Sequence, residues 1–342
     1  MSAAGTVKGA AAVADPLGPS AGALPLRWLV LGLGRAGTAR VRDLEDSPGH
    51  RLVAALGARS GASALDAAIR NLEVDAVAVC TDNASHREWV EAALRSGRHV
   101  LCEFPLAPTA EGCAALLAEA ARRRRVLHVE AIGLLTDAHR ALLASRRDIA
   151  TLESRFAGDC YRWIADEVRA GHVGQLAIGR LLALWQISGP LTLREVRCTI
   201  APLPPRAAEA VRADSRGADD PSGELDTVPC YELSAELRGA TGQRVLLHEA
   251  RAPGLARQSS LRATDTRGRE VAVRSARRKG PGLFAADLAA FAARVASGDR
   301  RGRYLEDADL VAVASLAEAI SAIAGFAAAK SRAAAKSRPA AS

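Results

Sequence analysis

From residue 26 onward, short apolar runs alternate with amphipathic stretches. Apolar runs at 28–31, 52–56, 76–80, 99–103 and 126–130 predict strands, and segments of helical period at 36–45, 63–70, 86–95 and 109–123 predict the helices between them. That rhythm predicts a parallel sheet with crossover helices. The stretch "HVEAIG", 128–133, is expected on its sixth strand. Past residue 150 the pattern changes. Helices are expected near 159–169 and 174–187, followed by the alternating runs "YELSAEL" (231–237), "RVLLHEA" (244–250) and "REVAVRS" (269–275), which suit an antiparallel sheet. Helices at 283–296 and 305–326 close the chain, and "APLPPRAAEAVRADSRGADDPSG", 201–223, predicts a long exposed loop.

Composition sharpens this division. Residues 1–25 are mostly Ala, Gly, Ser and Pro without a period, and are expected to form a disordered arm. The parallel-sheet domain is expected over 26–132 and an α+β domain with a mostly antiparallel sheet over 133–328. A disordered basic tail is expected over 329–342, although its alanines would tolerate helix. A length of 342 residues exceeds what one core usually fills, which agrees with two domains.

The net charge of +8 does not predict nucleic-acid binding: the arginines are dispersed, aromatics are 4%, and no binding motif interleaves them. An acidic small ligand explains the charge at least as well. The six cysteines lack a C-x-x-C pair or histidines at zinc spacing, and His172 and His248 have no partner at metal spacing, so no metal is expected. The cysteines read as buried thiols in a reducing compartment. No run approaches ~18 uninterrupted apolar residues and no signal peptide is legible, so a cytoplasmic location away from membranes is expected. Oligomeric state is not legible.

Candidate chemistry begins at "LGLGRAGTARVRDL", 31–44, where Gly32, Gly34 and Gly37 follow a strand and open a helix. In a Rossmann domain the first glycine permits the turn, the second lets backbone approach a pyrophosphate, and the third lets helix and strand pack closely. Gly32, Leu33, Gly34, Arg35, Ala36 and Gly37 are therefore candidate dinucleotide ligands, the helix-terminal amides holding the phosphates. No acid lies between Ala54 and Ser63 to accept from a ribose 2′-hydroxyl, while Arg59 and Ser60 suit a 2′-phosphate. NADPH is therefore the expected cofactor, with NADH possible. After the third strand, Thr81, Asp82 and Asn83 are candidates for the nicotinamide ribose, with His86 beside them. Asn83 or Ser85 also reads as a cap of the helix beginning near His86.

"GRHVLCEFPLAPT", 97–109 with Glu103 and Phe104 at its centre, resembles the glucose-fructose oxidoreductase type of family, in which a Rossmann domain precedes a sheet domain. Sugar dehydrogenases of that family end the strand in Glu-Lys-Pro, the lysine serving the hydroxyl being oxidised. Phe104 occupies the position here. The chain is more similar to the biliverdin reductases, which carry Glu-Tyr-Pro, at 32–44, 99–109, "VLHVEAIGLL" (126–135) and "AIGRLLALWQISGPLTLREV" (177–196). "ARAPGLARQ" (250–258) and "SARRKGPGLFAADLAAF" (275–291) are similar to segments of the same family's second domain.

This resemblance implies reduction of a flat bilin with two propionates, by hydride transfer from the nicotinamide to the central methine and protonation of a neighbouring pyrrole nitrogen. It places Arg180 facing the bilin. Arg180 and Glu130 are the candidate catalytic residues, with Glu103 a second carboxylate at a strand end. The sequence departs from the family at Phe104, which lacks the hydroxyl, and at Ala131 and Gly133, where relatives carry His and Glu. Two other readings stay open: a sugar or cyclitol dehydrogenase, and a bilin- or nucleotide-binding homologue without catalysis. "RRRR", 122–125, reads as a solvated helix end, and Arg277, Arg278 and Lys279 as a loop that could also meet a propionate.

Overall fold

The computed structural model describes residues 25–159, 172–202, 229–252, 254–271, 282–299 and 302–336. Its first sheet contains β1 (Leu26–Leu31), β2 (His50–Leu56), β3 (Ala76–Val79), β4 (His99–Cys102) and β5 (Leu127–Val129) in the order β2-β1-β3-β4-β5, all parallel. The strand of "HVE" is thus the fifth, not the sixth. The crossovers carry α1 (Arg35–Glu45), α2 (Ala62–Asn71), α3 (His86–Arg95) and α4 (Ala110–Arg123). Trp28 through Leu31 are wholly buried on both faces. Such a continuous apolar run is needed because helices cover both sides of a parallel sheet.

After α5 (Asp137–Ala144) the second sheet is built from β6 (Thr151–Gly158), β7 (Thr192–Pro202), β8 (Pro229–Arg238), β9 (Arg244–Arg251) and β10 (Gln258–Thr264). Its order is β10-β6-β9-β8-β7, with only the β6/β9 pair parallel. Alternation does the work: Tyr231, Leu233, Ala235 and Leu237 of β8, with Val245 and Leu247 of β9, turn inward. The inner face meets α6 (Val173–Leu176) and α7 (Ile178–Ser188). "REVAVRS" contributes only an isolated bridge, Thr264 to Glu270, before residues 272–281, which lie outside the described residues, as do Arg277, Arg278 and Lys279. The expected helix near 159–169 and most of the 201–223 loop also fall outside them.

The last two helices are α8 (Leu283–Ala296) and α9 (Asp307–Lys336). Leu288 and Phe291 of α8 join a core with Trp28, Val30, Leu44 and Leu101, on the first sheet's α1 side. A helix expected in the second domain thus completes the first. Leu310, Val313, Ala317 and Ile320 of α9 join the other core, shared by both domains. Residues Asp307–Gly325 are long and apolar enough to cross a membrane, yet 44% of that window is buried in the fold. The helix continues to Lys336, into the expected disordered tail, because the alanine-rich repeat there has the highest helix propensity. Cys80, Cys102, Cys113 and Cys198 are buried free thiols.

Trp28 Nε1 donates to Nδ1 of His50 at 3.1 Å, and burial lowers that imidazole from 6.5 to about 4. A group harder to protonate when folded stabilises fully above its unfolded value and progressively less as pH falls from 6.5 to about 4. His50→Gln keeps an acceptor for Trp28 and removes the titration. Its unfolding free energy should therefore drop less than the parent's between pH 7 and pH 4.5, by roughly 2 kcal/mol after allowance for partial solvent screening, as denaturant titrations at the two pH values check.

Candidate active site

The glycine turn separates into two kinds of position. Gly32 has φ +90°, and a Cβ there would lie 2.4 Å from the Cys80 carbonyl oxygen of the neighbouring strand end. A Cβ on Gly37 would sit 1.8 Å from the Gly32 carbonyl oxygen. Both glycines are required by the fold itself. Gly34 differs: it has ordinary extended backbone (φ −71°), and a Cβ would meet no protein atom within 4 Å. Leu33, Gly34 and Arg35 form an exposed tip, with Leu33 45% exposed, while Ala36 is half-buried. The first turn of α1 contains no acid and its N-cap makes no side-chain bond. An open glycine on an uncapped helix N-terminus suits the close approach of a pyrophosphate, so these residues fit a dinucleotide.

Arg59 and Ser60 lie on a 3₁₀ turn, Ala58–Ser60, directly after β2. Both are exposed, and Arg59 makes no hydrogen bond or ion pair among the described residues. After β3, the Ser85 hydroxyl lies within 3.0 Å of Thr81 Oγ1, Asp82 Oδ1 and the Asp82 carbonyl, and does not cap α3. Asn83 is buried in the following 3₁₀ turn. His86 departs from expectation. It is 1% exposed, with Nδ1 2.7 Å from the Pro105 carbonyl and Nε2 3.1 Å from the Thr81 carbonyl. Burial lowers its pKa, and the ring bridges the segments that follow β3 and β4.

Behind the strand ends lies a buried ionic network. Arg40 of α1 is 1% exposed and donates to Asp287 of α8, to the Phe284 carbonyl at 3.0 Å and to Glu103 at 3.3 Å. Burial opposes its charge, yet Asp287 and Glu103 hold the guanidinium above its usual value. The Asp287 carboxyl is raised by burial but held well below the carboxylate range overall by Arg40 and His128. His128 Nε2 lies 2.8 Å from Asp287 Oδ1 and its Nδ1 3.2 Å from Arg294 Nη1. Arginine can only donate, so Nδ1 is the accepting nitrogen and Nε2 the one that donates to Asp287. Tyr304 donates to Asp287, and its oxygen accepts from the Ala131 amide at 3.1 Å.

Glu130, at the end of β5, is 1% exposed, and Oε1 accepts from the Ile132 amide at 2.8 Å. Burial, then Glu103 and Asp287, push its carboxyl well above the usual range. Burial also raises Glu103, against the pull of Arg40, and the two glutamates interact side chain to side chain. The network thus treats its carboxyl groups unequally: Asp287 is held well below the usual range and Glu130 well above it.

Phe104 follows Glu103 and precedes Pro105 across a cis peptide bond. Its ring rests on α7, where a Cβ at Gly179 would come within 3.1 Å of Phe104 Cζ. A glycine inside a helix costs about 1 kcal/mol, and this contact explains the site. The next residue, Arg180, donates to the Leu176 carbonyl at 2.7 Å and to Glu249 of β9. Glu249 is 2% exposed and also accepts from Tyr231 at 2.9 Å and Arg251 at 2.8 Å. Burial raises its carboxyl, but Arg180 and Arg251 bring it below the usual value. Arg180 therefore stands in a buried ion-pair group, not as an isolated cation. Its guanidinium carbon lies 4.5 Å from the Phe156 ring centroid.

Sequence reasoning missed Arg40, Asp287, Tyr304, Phe156 and Glu249. A signal existed for two of them: Asp287 interrupts the apolar run "LFAADLAAF", and Glu249 occupies an inward register with Val245 and Leu247. A charge at an inward position demands a partner.

Residues 26–131 match the family described as an oxidoreductase family with an NAD-binding Rossmann fold. The chain is 32% identical over 178 residues to biliverdin reductase A of Mus musculus, covering 48% of this chain and 59% of that one. It is 45% identical over 74 residues to inositol 2-dehydrogenase of Pseudomonas syringae pv. syringae (strain B728a), covering 21% and 22%. The structure of biliverdin reductase in complex with biliverdin and NADP+ from Synechocystis sp. PCC 6803 superposes with a TM-score of 0.67 at 20% identity, over 89% of this chain and 99% of that one. These matches establish the two-domain fold.

Gly34→Ala should leave the thermal midpoint within about 2 °C while weakening dinucleotide binding roughly tenfold or more, because only a ligand meets the new methyl. Gly37→Ala should cost about 3 kcal/mol of stability, because its methyl collides with backbone. Thermal melts and cofactor titrations of both variants check the contrast.

Proposed function

We propose that the protein is an NADP(H)-dependent oxidoreductase that reduces a linear tetrapyrrole, biliverdin to bilirubin. The observation that carries this reading is the Phe104 ring lying against Gly179 beside Arg180. It supplies a flat apolar wall next to a cation, where a polyol dehydrogenase of the family places a lysine amine. A planar conjugated acid fits such a wall better than a polyhydroxylated ring does. Likeness to the mouse biliverdin reductase supports the same reading.

When bound, the reduced nicotinamide supplies a hydride from C4. The chain's own residues supply binding, orientation and a proton. Amides at the Gly34 turn hold the pyrophosphate, and Arg59 with Ser60 holds a 2′-phosphate. Phe104 excludes water from one side of the cleft and keeps the pigment flat. Arg180 presents a fixed positive charge to electron density displaced onto the pigment as the methine is attacked. Glu130 stores a proton beside Glu103, whose half-buried carboxyl passes it towards a pyrrole nitrogen, so one hydride and one proton are added in total.

Mixing purified protein with biliverdin and NADPH should turn the solution from green to yellow, one NADPH oxidised per pigment reduced. Oxidation of inositol or aldoses with NADP+, and no colour change, would instead establish the dehydrogenase reading. Arg59→Ala should weaken NADPH binding by roughly tenfold or more and leave NADH within about twofold, as expected for loss of a phosphate-binding guanidinium. Equal losses for both cofactors would remove the 2′-phosphate assignment.

A further inference from the structure

His86 opens α3, and its ring is buried although it carries two polar nitrogens. Those nitrogens reach two different segments: Nδ1 lies 2.7 Å from the Pro105 carbonyl oxygen, and Nε2 3.1 Å from the Thr81 carbonyl oxygen. Thr81 follows β3 and adjoins the glycine turn, where a Cβ on Gly32 would lie 2.7 Å from the Thr81 amide nitrogen. Pro105 directly follows Phe104, whose ring rests on α7 at Gly179. One segment therefore borders the turn that fits a pyrophosphate, and the other carries the apolar wall.

The pairing of β3 with β4 ends at Val79 and Cys102, with one more bond from the Glu103 amide to the Val79 carbonyl at 3.0 Å. Beyond it, the ring of His86 links the two segments. A neutral imidazole carries one N–H and donates to one carbonyl, and only the protonated ring donates to both. The two contacts are thus distinct, and each can be removed without the other. Their placement bears on chemistry because hydride transfer needs the reacting atoms about 3–3.5 Å apart and aligned.

We propose that His86 is a positioning residue for hydride transfer, holding the nicotinamide ribose through Thr81 and the Phe104 wall through Pro105, so that cofactor and pigment meet in register. This inference rests on the tetrapyrrole reading above, with Thr81 as a ribose contact. The ring itself touches neither ligand. It acts through two carbonyl groups, one on each side of the transfer.

The test separates the two links by bond counting. The amide nitrogen of Asn stands as many bonds from Cβ as Nδ1 of His, and that of Gln as many as Nε2. His86→Asn therefore keeps a donor for Pro105 and loses the one for Thr81, and His86→Gln does the reverse. NADPH and biliverdin are each titrated alone against the full chain, and kcat is measured with both. His86→Asn should weaken NADPH by roughly three- to tenfold and leave biliverdin within about twofold, the effect of one lost hydrogen bond. His86→Gln should show the opposite split. Both should lower kcat by roughly tenfold or more, because a shift of either segment misaligns the reacting atoms. A ring that only fills the core would give variants that weaken both ligands alike, or neither. Either outcome overturns the proposal, as does failure of both variants to fold; should one fail to fold, the other decides by its own split. If the parent binds NADPH but no biliverdin, the tetrapyrrole reading falls and the Pro105 half with it, while the opposed effects on NADPH still decide the Thr81 half.

Discussion

A guanidinium that is 1% exposed needs its countercharge wherever the chain can supply it. For Arg40 that charge is Asp287, 247 residues later. Each ion alone would be strongly unfavourable in the interior, and removing either partner of such a pair typically costs about 3–5 kcal/mol. The pair therefore docks α8 onto the first sheet, with Phe291 packed 4.9 Å from Trp28, ring centroid to centroid. A dinucleotide fold that would otherwise end at β5 is closed by a helix from the far end of the chain.

The same pair reaches the strand ends. Arg40 also holds Glu103, while Asp287 accepts hydrogen bonds from His128 Nε2 and from the hydroxyl of Tyr304. One cation among three carboxyl groups cannot keep all three ionised in a low-dielectric interior. Asp287 has the best partners and is pulled down, and Glu130 has the fewest and is pushed up. The raised carboxyl at the end of β5 is thus a consequence of how α8 is anchored. Tyr304 also reaches the Ala131 amide, directly after Glu130.

The second sheet meets this apparatus through one close contact. Gly179 allows Phe104 to lie on α7, and the next residue reaches the opposite sheet to pair with Glu249. The wall beside the proposed cofactor cleft and the cations around Phe156 are therefore neighbours along a single helix turn. Many exposed arginines pair with nearby acids, as Arg244 does with Glu236, whereas among the described residues the cations stacked on Phe156, Arg180 and Arg251, form ion pairs with Glu249 alone.

What the sequence alone determined was local. The apolar runs and their spacing specified the parallel strands and their helices, because period and burial on both faces are properties of a few consecutive residues. The glycine turn was equally legible, since Gly32 and Gly37 answer to backbone only a few residues or one strand away. The tertiary structure decided the rest. It buried His86 between two carbonyls, gave Arg180 a buried partner, moved α8 to the first domain, and shifted Glu130 and Asp287 in opposite directions. Charge state and access depend on what lies within a few ångströms in space, and the groups that fix them here stand 69, 159 and 247 residues apart in the chain.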